Sequence, residues 1–166
     1  MGLHAFRPVL AIALLIGAAH ARAQVDEATL KAAFVYNFAL YTSWPVSPGE
    51  PHELTLCIAR TSALAPALRE LEGKPVQARE LVVRELETGA SPMGCSILVL
   101  GAEAPASQEP GVLTICDCAD HDGMHGTVIA LVREGDRLRF DVDLGAANAS
   151  KLSLSSKLLR LARATR

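Results

Sequence analysis

Two thiols and two imidazoles fall within ten positions in the run Cys116-Asp-Cys118-Ala-Asp-His121-Asp-Gly-Met-His125. Thiolate sulfur and imidazole nitrogen are the donors that zinc and copper(I) prefer, so Cys116, Cys118, His121 and His125 are the candidate ligand set if this chain holds a metal. The spacing argues the other way. Zinc sites usually place about two to four residues between paired cysteines, whereas Asp117 alone separates these two. A direct Cys116–Cys118 disulfide closes only a small, strained ring, which is easier to reduce than a relaxed bond. We read the loop as lacking metal and cofactor, with the oxidation state of its cysteines open. Asp120, Asp122 and Gly123 imitate part of a calcium-binding loop, but Cys118 occupies its first ligand position and Ile129 its bidentate one, so these aspartates are turn residues.

The chain has four cysteines, which permit two disulfides and three pairings. Cys57 lies inside an apolar strand candidate and Cys95 directly precedes another, an arrangement in which neighbouring strands bring the two together. Two buried thiols satisfy the same pattern, and the residues alone leave the pairing open. Beyond residue 23 the histidines are His52, His121 and His125, none in a triad or metalloprotease motif. No serine sits in a nucleophile elbow, and no glycine-rich loop follows a strand to cradle phosphate. Asp141 and Asp143 share a face of an alternating strand and read as solvated acids. Catalysis is not expected.

Residues 1–23 have a basic start at His4 and Arg7, an apolar run from Val9 to Ala19, and Ala21-Arg22-Ala23 before Gln24. This is a signal-peptidase pattern, and the run is too short for a full span of about 20 residues. The expectation is export with cleavage of 1–23, leaving 24–166 as one domain of roughly 140 residues. Losing Arg7 and Arg22 leaves fourteen basic residues against eighteen acidic, a balance of −4. That sign makes nucleic acid an unsuitable partner. A chain that is 50% hydrophobic can bury a core of this size without metal or staples.

The residues above need a scaffold, and its first element is distinctive. Five of the seven aromatic residues fall between Phe34 and Trp44. Asp26 or Thr29 can cap a helix there, with Leu30, Phe34, Phe38 and Tyr41 on one face and Pro45 stopping it. Strands are expected at 54–59, 80–86, 96–100 and 112–116. A helix is expected at 62–71, and a hairpin joining 127–132 to 137–144. In 80–86, Leu81, Val83 and Glu85 alternate with Val82, Arg84 and Leu86, whereas the 96–100 strand is continuously apolar after Ser96, as where both sheet faces are covered. A last helix at 155–164 turns Leu158, Leu161 and Ala162 inward and Lys157, Arg160 and Arg163 outward. That basic side is a solvated face, or a docking strip for an acidic protein patch or anionic lipid. The fold class is α/β: a single-domain mixed β-sheet with helices on both faces, a three-layer Rossmann-like sandwich. A hydrophobic sheet edge also permits a homodimer.

The aromatic helix closed by Trp44-Pro45, the Leu-Thr-Leu-Cys-Ile block at 54–58, and the C-terminal blocks at 139–144 and 154–162 together resemble the YfiR/HmsC-like family. The resemblance covers nearly the whole chain after residue 23. It implies a periplasmic repressor without catalytic activity. Its partner would be the periplasmic region of an inner-membrane diguanylate cyclase, whose restraint lowers cyclic di-GMP and biofilm formation, and an outer-membrane lipoprotein is a second implied partner. It also favours a Cys57–Cys95 disulfide, because related proteins carry cysteines in these two blocks. The Cys116 to His125 loop departs from the family's usual pattern, and the alternative reading, a periplasmic small-ligand or metal-binding module, rests on that loop.

Overall fold

The computed structural model describes residues 26–45, 52–101, 109–117 and 126–166. Helix α1 spans Glu27–Leu40. Asp26 stands at its N-cap position and its carbonyl accepts from Leu30 N at 3.0 Å, while Glu27 places an acid in the first turn, where the helix dipole favours it. The buried residues are Ala32, Val35, Phe38 and Ala39. Leu30 and Tyr41, expected inward, are exposed. Apolar residues lie all round this helix, so periodicity cannot select a face; small residues at 32 and 39 let its backbone approach the sheet, and that fit selects it. Phe34 is half-buried, its ring 6.0 Å from Phe140, and Phe38 lies 4.9 Å from the same ring. The helix also closes before Pro45 takes effect. Tyr41 N donates to Asn37 O, and the Thr42 hydroxyl donates to Phe38 O at 2.7 Å, filling acceptors a helix end would leave open.

The chain then leaves as β1 (Thr42–Ser43), which pairs antiparallel with β9 (Ser153–Leu154). Trp44 follows, its indole donating to Ser96 O at 3.3 Å and Arg79 stacked over its ring at 5.2 Å.

The main sheet is built from β2 (Glu53–Ala59), β3 (Pro75–Val76), β4 (Arg79–Leu86), β5 (Ile97–Gly101), β6 (Leu113–Asp117), β7 (Ile129–Glu134), β8 (Arg137–Val142) and β10 (Ala164–Thr165). Their order across the sheet is β10-β8-β7-β6-β5-β2-β4-β3. Strands β4, β2, β5, β6 and β7 are mutually parallel, while the β7–β8 hairpin and β3 add antiparallel edges. The architecture is therefore mixed α/β. The hairpin turns on Gly135 and Asp136, where Gly135 has φ 58°, a left-handed conformation that glycine adopts without steric cost.

Alternate strand residues face opposite sides of the sheet. Leu56, Leu81, Ile97, Ile115, Ile129 and Phe140 point into one large core, which also holds the buried residues of α1, α2 (Ala65–Arg69), α3 (Leu144–Ala149) and α4 (Ser156–Leu161). The expectation of helices on both faces is thus not met by the described helices, all four of which bury onto one side. The other side is buried too, through Cys57, Leu98 and Leu100 and through Cys116, Ala130 and Val132. A continuously apolar strand reports that both faces are covered, without specifying a helix as the cover.

Three boundaries differ from expectation. The 62–71 helix contracts to α2, followed by turns up to Gly73. The strand expected to reach 144 stops at Val142, because the Asp143 carboxylate accepts from Ala146 N at 2.8 Å and starts α3. The last helix ends at Leu161. Leu158 is buried as expected, but Leu161 is 65% exposed, and the chain continues as β10 beside β8.

Candidate functional site

In open parallel sheets, ligands and partners are commonly received at the carboxyl ends of the strands. Here that edge is formed by Ala59, Leu86, Gly101, Asp117 and Glu134, and among the described residues it carries two charged networks. Toward β4, Glu85 lies 3.4 Å from Arg60 and 3.1 Å from Arg69, and Arg60 pairs with Glu87 at 2.7 Å.

Toward β6 and β7 the network reaches α1. Lys31 Nζ lies 2.7 Å from Asp117 Oδ1 and 2.9 Å from Glu27 Oε1, and Glu27 also pairs with Arg133. Hydrogen bonding and charge from Lys31 hold the Glu27 carboxyl below its usual pKa, with Arg133 adding to the effect. Burial works against the Lys31 ammonium, but its bonds to Asp117 and Glu27 and their charges together outweigh it, and its pKa rises. These groups wall a groove of about 190 Å³ whose remaining lining is Leu131, Val132 and Leu138. With two cations and two anions, the groove is electrically balanced. It fixes α1 to the end of β6 and presents alternating apolar and charged surface.

Cys116 directly precedes Asp117 and faces the opposite side of the sheet, beside Ala130 and Val132. It is 1% exposed and disulfide-bonded. Cys118, His121 and His125, with Asp120, Asp122 and Gly123, lie outside the described residues. Among the described residues no group of three or more His, Cys, Asp or Glu side chains is placed to hold a metal ion.

Cys57 and Cys95 are joined by a disulfide, with Cα atoms 5.8 Å apart. Both are buried, at 0% and 5% exposure. Arg84 stands opposite Cys57 in the β2–β4 register. Its guanidinium donates to Met93 O at 2.5 Å and lies 3.0 Å from Cys95 Sγ, tying the loop before β5 to the sheet. The signal for this role was an arginine alternating with Val82 and Leu86 on one strand face.

The acid pair is not the solvated one expected. Asp141 is fully buried, and its carboxylate receives both Arg163 Nε, at 2.8 Å, and an Nη of the same guanidinium. Arg163, expected to point outward, turns back because β10 runs parallel to β8 and brings it alongside. Hydrogen bonding to Asp141 raises its pKa further, against the opposing effect of burial. Asp143 is engaged as the α3 cap. Both acids therefore have structural partners. Neither the Lys31–Asp117 pair nor the Asp141–Arg163 pair carries a local sequence signal, since each joins segments distant along the chain.

The model of the YfiR/HmsC-like family matches residues 28–163, a span that begins within α1 and ends on Arg163. The chain belongs to that family. No curated protein matches it.

Proposed function

On the premise of this family membership, we propose that the protein is a periplasmic repressor that binds the periplasmic region of an inner-membrane diguanylate cyclase, lowering cyclic di-GMP and biofilm formation. The family match over residues 28–163 is the observation that carries this reading. Residues 1–23 direct export and are removed, and 24–166 act as a single domain. The Cys57–Cys95 disulfide suits an oxidising compartment, since cytosolic thiols are kept reduced. The protein acts by binding rather than by catalysis. Repression requires that it prefer the inactive conformation of the cyclase, because a ligand shifts an equilibrium only by its differential affinity for the two states. A hundredfold preference corresponds to about 2.7 kcal/mol. An outer-membrane lipoprotein is a second partner in this scheme.

The test is cyclic di-GMP measured in the native host with the gene, without it, and complemented by exported or signal-less protein. A rise on deletion that only the exported form reverses is the expected outcome. An unchanged level refutes repression.

A further inference from the structure

Residues 144–166 contain five cations, Lys151, Lys157, Arg160, Arg163 and Arg166, and no Asp or Glu, in a chain whose formal charge is −2. Arg163 is turned inward onto Asp141. The other four are exposed, and none of them forms an ion pair among the described residues. On α4, Lys157, Arg160 and Leu161 stand at i, i+3 and i+4, a spacing that puts them on one face, while Leu158 carries the buried face. Leu161 is 65% exposed. Tyr41, the residue that ends α1 and is itself 37% exposed, stands beside the N-terminus of α4, its carbonyl accepting from Ser155 N at 2.9 Å. The α4 face thus combines two unpaired cations, Lys157 and Arg160, with an outward leucine, and a part-exposed tyrosine stands beside the helix N-terminus.

We propose that this strip docks on an anionic phospholipid surface. Lysine and arginine keep their charges among headgroups while their stems and a neighbouring leucine lie against the acyl boundary. Tyrosine prefers the same layer because its ring is apolar and its hydroxyl polar. Residues 144–166 carry cations and no acid, and an anionic headgroup layer presents the complementary sign uniformly without requiring a matched arrangement of partner groups, so lipid is the better-matched occupant. Attraction is non-directional, and each cation near an anionic leaflet strengthens binding about fivefold. The inference stands apart from repression, because a surface of this kind binds lipid whether or not a cyclase is present.

The test is cosedimentation of the protein, purified in the form its host exports, with phosphatidylcholine vesicles with and without phosphatidylglycerol. Binding to the phosphatidylglycerol vesicles alone is expected, and it weakens as added salt shortens the screening length. Lys157→Gln with Arg160→Gln weakens it about 25-fold, the product of two fivefold steps, and Leu161→Ser weakens it at unchanged charge. All three positions are exposed, so the fold tolerates these changes, and the salt titration of the unaltered protein is an independent readout. No binding to anionic vesicles at low salt, equal binding to neutral ones, or equal binding by the double variant overturns the proposal. Capture of an acidic protein without vesicle binding also overturns it, and reassigns the strip to a protein partner.

Discussion

Replacing Arg163 with methionine removes one half of a buried ion pair and tests how the C-terminal strand is held. Asp141 is 0% exposed, and the Arg163 side chain is 18% exposed. Their closest measured contact is 2.8 Å, where the Coulomb attraction is roughly 6 kcal/mol at an effective dielectric of 20. Moving both charges out of water costs several kcal/mol per ion, so the net worth of the intact pair is small. Removing only the arginine is a different matter. The carboxylate keeps its desolvation cost and loses the Arg163 guanidinium, which destabilises by about 3 to 5 kcal/mol. The change sits next to Phe140, whose carbonyl accepts from Arg163 N at 2.8 Å and whose ring packs on Phe38, so the core beneath α1 senses it. For a domain of this size, each kcal/mol moves Tm by about 3 to 4 °C, giving a drop of roughly 10 to 20 °C. Urea denaturation followed by circular dichroism, with the disulfides left intact, measures the free energy directly. The double variant Asp141→Leu with Arg163→Met, similar in volume and uncharged, should fall within about 2 kcal/mol of the unaltered protein. A loss below about 1 kcal/mol in Arg163→Met, or a double variant worse than the single, refutes the reasoning.

Replacing Cys57 and Cys95 together with serine releases a crosslink separated by 38 residues and should cost about 4 kcal/mol on the loop-entropy relation. The denaturation midpoint reads this, and non-reducing peptide mapping of the unaltered protein should recover the two cysteines in linked peptides. Truncating Phe38, which is 1% exposed and packed against two other phenylalanine rings, should cost about 3 to 5 kcal/mol. A loss comparable to that of a surface substitution would show that α1 is not seated as described. The Glu27 carboxyl titrates below its unfolded value, so its contribution is present above the unfolded glutamate pKa and is lost as pH falls through the folded one. Lys31 titrates above its unfolded value, so its contribution is complete below that value and is lost as pH rises through the folded pKa. Because Glu27 is largely exposed, the acid-side effect is screened and stays below about 1 kcal/mol. A Glu27→Gln variant should show a shallower fall in Tm on acidification, and an unchanged slope would count against the pairing.

The strands were legible because a run such as 97–100 is apolar without a break, and the alternation in β4 correctly divided Leu81 and Val83 from Val82, Arg84 and Leu86. The first helix was legible as an element but not in its orientation, since residues able to bury lie around its whole circumference. Strand β10 and helix α3 were missed for related reasons. The two residues of β10 are too few to show a period, and α3 is alanine-rich, with a cap that continued an apparent strand. Of the candidate site, Cys57 and Cys95 were visible as residues, but their pairing rested on family resemblance rather than spacing. The ligand set beginning at Cys116 continues into residues outside those described.

What the sequence determined by itself was therefore local: where backbone can be extended and covered, where a helix can begin, and that one aromatic segment belongs to the core. These follow from side-chain period and turn chemistry, which act over a few residues. Tertiary structure decided which charges meet. Lys31 finds Asp117, Arg84 finds Cys95, and Arg163 turns away from solvent to Asp141. Each choice depends on strand order and on the close approach of α1 to the sheet. Hydrogen bonds require contact at about 3 Å and screened charges act over about 10 Å, whereas the partners are brought that close only by the fold, from positions along the chain that no local pattern links.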